Sequence, residues 1–182
     1  RIYTLANQAK ALSQKYHVVV TNPPYMGSDG MDGKLSAFVK KNYAICKADM
    51  FAVFMKRCAD MVGKTGFQSM ITQHTWMFLS SFERIREKLL SNYSIITMCH
   101  LGPRAFEEIG GEVVQTTAFV VENDSKNING SYYRLVDYSN PKDKEEKYLL
   151  ALNNNNSKIH YMFDSKNFNK IPGMPVAYWV DE

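Results

Sequence analysis

Hydrophobic and polar positions along this chain switch between a period of two and a period near 3.6, and the switches lay out alternating strands and helices. The run Tyr16-His17-Val18-Val19-Val20-Thr21, rich in β-branched residues, predicts a central strand covered on both faces. Met50, Phe51, Phe54, Met55, Cys58, Ala59 and Val62 recur at helical spacing behind Asp49, a plausible N-cap. Gly63-Lys64-Thr65-Gly66 then turns the chain into a strand over 67–72, with Trp76 and Phe78 as packing aromatics. Ser80 and Glu83 have capping-box spacing and open a second helix that buries Phe82, Ile85 and Leu89.

Residues 95–101 read as the next strand, ended by Gly102-Pro103, and residues 113–121 as another. No helix of ordinary length fits between these two, so they are expected to pair antiparallel at the edge of the sheet. A flexible glycine-containing loop over 26–34, as a lid or plain surface loop, and a short helix over 35–43 complete the first part. A strand is expected over 132–138, a charged linker over 140–147 and a polar tract over 153–156. The class that follows is α/β.

The chemistry concentrates where the first strand stops, at Asn22-Pro23-Pro24-Tyr25. Two prolines end the ladder, because neither donates an N–H and each fixes φ near −65°. Ligands of open α/β sheets sit beyond the carboxyl ends of the strands, so these side chains are delivered to that edge. Such a corner suits methyl transfer to a planar, conjugated amine. The Asn22 oxygen and a proline-flanked carbonyl each accept one amine N–H and hold the lone pair toward the incoming methyl group, by positioning and preorganised electrostatics. Tyr25 offers an aromatic face to the target. The plain alternative is a Pro-Pro turn with Asn22 as turn former and Tyr25 as an ordinary half-buried aromatic.

At these residues the chain resembles the amino-methyltransferases that use S-adenosylmethionine, above all the adenine-specific DNA methyltransferases. Asn22 to Tyr25 resembles their motif IV, Asp49-Met50-Phe51 their motif V, and Arg104-Ala105-Phe106 with residues 113–121 their motif VIII region. Residues 22–28 and 31–38, the Tyr133-Arg134-Leu135-Val136-Asp137-Tyr138 segment and residues 171–179 are more narrowly similar to the large PglX-type methyltransferases of BREX phage defence. The resemblance implies the C-terminal half of a Rossmann-like class I methyltransferase sheet with an antiparallel edge strand. It implies transfer of a methyl group from S-adenosylmethionine to the exocyclic amine of a flipped adenine in double-stranded DNA, in phage defence or restriction-modification. Asn22, Pro23, Pro24 and Tyr25 would be catalytic, and Tyr25 and Phe106 would sandwich the extruded base. Asn22, Pro23, Asp49 and Phe51 would contribute to the cofactor site. Other phage-defence subunits are possible partners.

The division expected is 1–138 for the catalytic half and 139–182 for a linker and extension toward a target-recognition region. The family's glycine-rich cofactor loop and ribose-binding acidic residue belong before Arg1, so the isolated segment is expected to bind cofactor poorly and to be inactive alone. Methylation of a protein glutamine or of RNA, and a non-catalytic module that keeps the fold, are the alternatives.

Composition bears on this only at its margins. A chain of 182 residues with 45% hydrophobic content is long enough for one domain. Its net charge of +4 is compatible with DNA but lies below that of a self-sufficient DNA-binding surface. No run approaches the length of about 18 apolar residues that a membrane span needs, so no membrane association and a cytoplasmic location are expected. Cys46, Cys58 and Cys99 lack paired spacing and His17, His74, His100 and His160 are isolated, which argues against a metal site. His74, near a predicted strand end, reads as a structural imidazole, and Tyr178 and Trp179 read as packing residues.

Overall fold

The computed structural model describes residues 1–106, 114–154 and 157–180. Among these residues six strands form one sheet: β1 Tyr16–Thr21, β2 Val62–Gln73, β3 Ser94–Gly102, β4 Thr116–Glu122, β5 Asn129–Arg134 and β6 His160–Asp164, in the order β1-β2-β4-β3-β5-β6. β1 with β2 and β3 with β5 pair parallel, whereas β4 runs antiparallel to both β2 and β3, and β6 antiparallel to β5. The carboxyl ends of β1, β2, β3 and β5 therefore share one edge of the sheet. The α/β class with an antiparallel edge strand holds, and that edge strand is β6. The antiparallel pairing of β3 and β4 also holds, but β4 lies inside the sheet, since it has ladder partners on both sides.

Helices α1 Ile2–Ser13, α2 Gly33–Asn42, α3 Met50–Met61, α4 Glu83–Asn92 and α5 Pro141–Leu152 surround it. The α3 and α4 stripes, with Phe51, Met55, Ile85 and Leu89, pack with Met70, Met98, Phe119 and Tyr132 into the main core. Tyr133, one residue on from Tyr132, meets Tyr148 of α5 at 4.9 Å, as strand alternation requires of the opposite face. Asp49 and Asp32 accept from the amides of Phe51 and Leu35 and thus cap α3 and α2.

Three expectations need correction. β1 is an edge strand with Val18 and Val20 55% and 70% exposed, because among the described residues it pairs only with β2 and α1 buries none of its own residues. The residues expected to form a linker and extension fold into the same unit. Residues 141–152 are helix α5, started by Asn140, whose side chain accepts from Asp143 N, and by proline at the first turn. β6 completes the sheet, and Phe168, Val176 and Tyr178 are core residues. The loop after the corner is also more regular than expected: a 3-10 turn over Ser28–Gly30 leads straight into α2. Residues 107–113 of the excursion between β3 and β4, including Val113, lie outside the described residues, as do Asn155 and Asn156 of the polar tract and the last two positions, 181 and 182.

Candidate active site at the carboxyl edge

β1 ends opposite Met70 of β2, and residues 22–25 continue past the ladder to the carboxyl edge. Asn22 and Pro24 are exposed, Pro23 is buried and Tyr25 is half-buried. The corner is clamped from behind by the start of α3. Asp49 Oδ1 accepts from Met26 N and from Phe51 N, each at 3.1 Å. Met50 N donates to Met26 O at 2.9 Å, and Ser28 N to Ala48 O at 3.0 Å. Burial pushes the Asp49 carboxyl up, against the pull of its backbone amides. One buried side chain thus ties the end of the Pro-Pro corner to a helix N-terminus.

Tyr25 meets Phe51 edge-on, with ring centroids 6.4 Å apart and planes at 88°, and Phe51 in turn packs on Phe82 at 5.3 Å. Phe51 is fully buried and Asp49 is 7% exposed. Both were expected on the cofactor's side of the site. The Phe51 ring fills the core against Tyr25, and the Asp49 carboxylate is taken up by amides. The Tyr25 hydroxyl is buried without a hydrogen-bond partner among the described residues, and burial raises its pKa. An enclosed, unpaired hydroxyl costs roughly 1–3 kcal/mol. Tyr25→Phe is therefore expected to raise the melting temperature by about 2–4 °C for about 1 kcal/mol gained. Calorimetry checks this, and a fall in melting temperature would mean that the hydroxyl has a partner.

Phe106 is half-buried on the segment that leaves β3 at this edge. The exit is made by Gly102 at φ 67°, where an added Cβ would lie 2.8 Å from Val136 Cγ1, so only glycine fits. Arg104 also has a left-handed φ of 56°. In strand order β2 and β4 stand between β1 and β3, so the corner and Phe106 flank the end of β2 and the start of β4.

Sequence reasoning missed a polar chain in that interval. His74, just past β2, has Nδ1 2.7 Å from His100 Nε2, and His100 Nδ1 lies 3.2 Å from the Tyr178 hydroxyl. His100 is 4% exposed. Burial lowers its pKa to about 3, helped by His74, Arg134 and Lys144, and burial lowers that of His74 as well. Both imidazoles are neutral at physiological pH. Tyr178 stacks on Tyr132 at 4.8 Å, and half-buried Trp179 packs on Phe78 at 5.7 Å with the Arg134 guanidinium 5.9 Å over its ring. These two aromatics pack against the domain, as expected. Position 74 at a strand end was the one available signal for the chain; nothing local announces a contact between positions 100 and 178.

The family model described as Eco57I restriction-modification methylase matches residues 3–106. The chain is 51% identical over 179 residues to the adenine-specific methyltransferase PglX of Lacticaseibacillus casei, covering 98% of this chain and 15% of that protein. It is 44% identical over 174 residues to the adenine-specific methyltransferase BrxX of Escherichia coli, covering 95% of this chain and 14% of that protein. This chain therefore spans about one seventh of the length of these curated relatives. Among solved structures, one from a type I restriction-modification system superposes with a TM-score of 0.67 at 18% identity, covering 92% of this chain and 38% of that one. Among the described residues no helix is long and apolar enough to cross a membrane.

Proposed function

The chain belongs to the Eco57I restriction-modification methylase family, and from that premise we propose that it supplies the methyl-accepting half of an adenine-specific DNA methyltransferase active site, in phage defence or restriction-modification. The observation that carries the reading is the corner itself: an exposed Asn22 on a Pro-Pro segment at the carboxyl edge, pinned by Asp49. Double-stranded DNA is the substrate, with one adenine extruded. The relatives' names support adenine as the target.

S-adenosylmethionine, when bound, supplies a methyl group made electrophilic by its sulfonium sulfur. The residues present fit its acceptor side: Asn22 and the backbone at Pro23 face where the methyl group must arrive, and Asp49 and Phe51 shape that surface from beneath. The Asn22 amide oxygen and the Pro23 carbonyl each accept an N–H of the adenine amine, so that its lone pair points at the methyl carbon. The positive charge that methylation would place on the amine nitrogen would be stabilised by the same two fixed oxygens until its proton passed to solvent. Pro23 and Pro24 hold the oxygens in place with little ordering cost.

Extrusion of a paired base costs a few kcal/mol. Tyr25 and Phe106, as stacking faces of about 1–3 kcal/mol each, offset it. The test is methyl incorporation into duplex DNA by the full-length enzyme carrying this segment, with N6-methyladenine as product. Phe106→Ala should lower the rate on a paired target by about 10- to 100-fold, in line with the loss of one stacking face. A mismatched target, already partly unstacked, should lose less. Equal losses on both would assign Phe106 to packing, and a methylated protein or RNA with unmodified DNA would overturn the reading.

A further inference from the structure

We infer that His74 is a hydrogen-bond donor to the extruded nucleotide, fixed in one tautomer by His100 and Tyr178. The inference rests on the proposed function, because it places a nucleotide at this edge. The position follows from the sheet. β1 and β2 are adjacent and parallel, Thr21 stands opposite Met70, and β2 runs three residues further to Gln73. His74 therefore emerges one strand from the Asn22 to Tyr25 corner, on the side toward the β3 end from which Phe106 departs.

Its tautomer follows from proton counting along the chain. The only hydrogen bond of the Tyr178 hydroxyl among the described residues is with His100 Nδ1, and Tyr178 is 2% exposed. A buried phenol with a single partner donates to it, since accepting would strand its own O–H. His100 Nδ1 is then the acceptor, so His100 Nε2 carries the proton and donates to His74 Nδ1. His74 Nδ1 is thereby occupied as an acceptor, and the His74 proton resides on Nε2. The His74 ring is half-exposed, edge-on to Phe78 at 5.6 Å, and Nε2 has no partner among the described residues. A neutral N–H at the carboxyl edge matches a nucleotide's acceptors, a ring nitrogen of the base or a phosphate oxygen. A cation there would oppose the positive charge that develops on the methylated nitrogen. Both histidines are held neutral by their surroundings.

The experiment uses the full-length methyltransferase and three duplexes: unmodified, with 7-deazaadenine at the target, and with a methylphosphonate beside it. His74→Ala should lower kcat/KM on the unmodified duplex by about tenfold, the scale of one hydrogen bond made in the complex. His74→Gln, which keeps an N–H at similar reach, should recover most of it. One modified duplex should lower the native enzyme's rate by about the same factor yet leave His74→Ala indifferent, and which duplex does so separates a base acceptor from a phosphate. Tyr178→Phe, by releasing the tautomer, should reproduce part of the His74→Ala loss with its melting temperature recorded alongside. Native activity in His74→Ala, or modified duplexes that slow native and His74→Ala equally, overturns the inference. Asn22→Ala in the same assay separates the two levels: if it is dead while His74→Ala is native, only the His74 assignment fails. If Asn22→Ala is active, the reading of the corner fails and the inference falls with it.

Discussion

Asn22→Ala is expected to abolish methyl transfer while leaving the fold intact. Asn22 is exposed and follows the last residue of β1, so its truncation opens no cavity and strands no buried partner. Surface substitutions of this kind change stability by about 0.5 kcal/mol or less. The chemical loss is of another size, because one preorganised group aimed at developing charge is typically worth about 10²–10³ in rate. In the proposed reading the same oxygen also orients the lone pair, so a fall of about 10³-fold or more is expected. Asn22→Asp keeps an acceptor oxygen but adds a negative charge beside the methyl path and removes the amide N–H₂. It should recover only part of the rate. Labelled methyl incorporation into DNA and a thermal melt of the same samples give both numbers. An Asn22→Ala enzyme within about tenfold of native, where a group of this kind is worth at least 10², would show that the corner does not hold the amine.

The sequence makes this corner legible because its determinants are local. A β-branched run followed by two prolines specifies a strand end, and Asp49 ahead of an apolar stripe specifies the helix behind it. What those residues do to one another was not legible. Asp49 was readable as a cap, but its second bond, to Met26 N, spans 23 positions and turns the cap into the clamp that positions the corner. Phe51 is on the stripe's buried side, a fact that depends on Phe82 and Tyr25 arriving from two other segments. The exposure of Val18 and Val20 has a related origin: an apolar pattern records that a strand suits covering, not which residues cover it. Residues 140–147 were misread for a different reason. Their charge density suggests a linker, although Asn140 and Pro141 are ordinary helix-start residues, most of the charges face solvent, and the buried Lys144 ammonium donates to Leu101 O and Leu135 O.

The C-terminal segment exposes the clearest limit, and it rests on a residue that looks unremarkable in sequence. Arg86, in the middle of α4, is 1% exposed, and no carboxylate bonds it among the described residues. Its Nη1 donates to Trp76 O at 2.8 Å and Leu79 O at 2.6 Å, and its Nε and Nη2 both donate to Gly173 O, at 3.2 and 2.7 Å. The guanidinium thus joins the turn after β2 to the segment that carries Tyr178, across 87 positions of sequence. Gly173 and Met174 both have left-handed φ values, of 77° and 51°, so the bend that presents this carbonyl is strained at a non-glycine residue. Arg86→Met fills much of the volume but leaves three carbonyls without their donor. Four charge-assisted bonds at roughly 1.5–3 kcal/mol each exceed the several kcal/mol recovered when a buried cation is removed, for a net loss of about 3 kcal/mol. That is a large share of the roughly 5–15 kcal/mol that stabilises a domain. The melting temperature should fall by about 6–12 °C.

Arg86→Lys tests whether charge or geometry is responsible. An ammonium cannot span three carbonyls as a planar fork does, so the lysine variant should lose nearly as much as the methionine. In both, residues 165–180 should become cleavable by protease before the sheet does, and the near-ultraviolet signal of the Tyr132, Tyr178 and Trp179 cluster should weaken first. Because Tyr178 leaves His100 in that state, methyl transfer should decline through the histidine chain even at temperatures where the sheet persists. Melting temperatures within a degree of native for both variants would mean that Gly173 is held by the apolar packing of Phe168 and Val176 alone, and that the guanidinium is incidental.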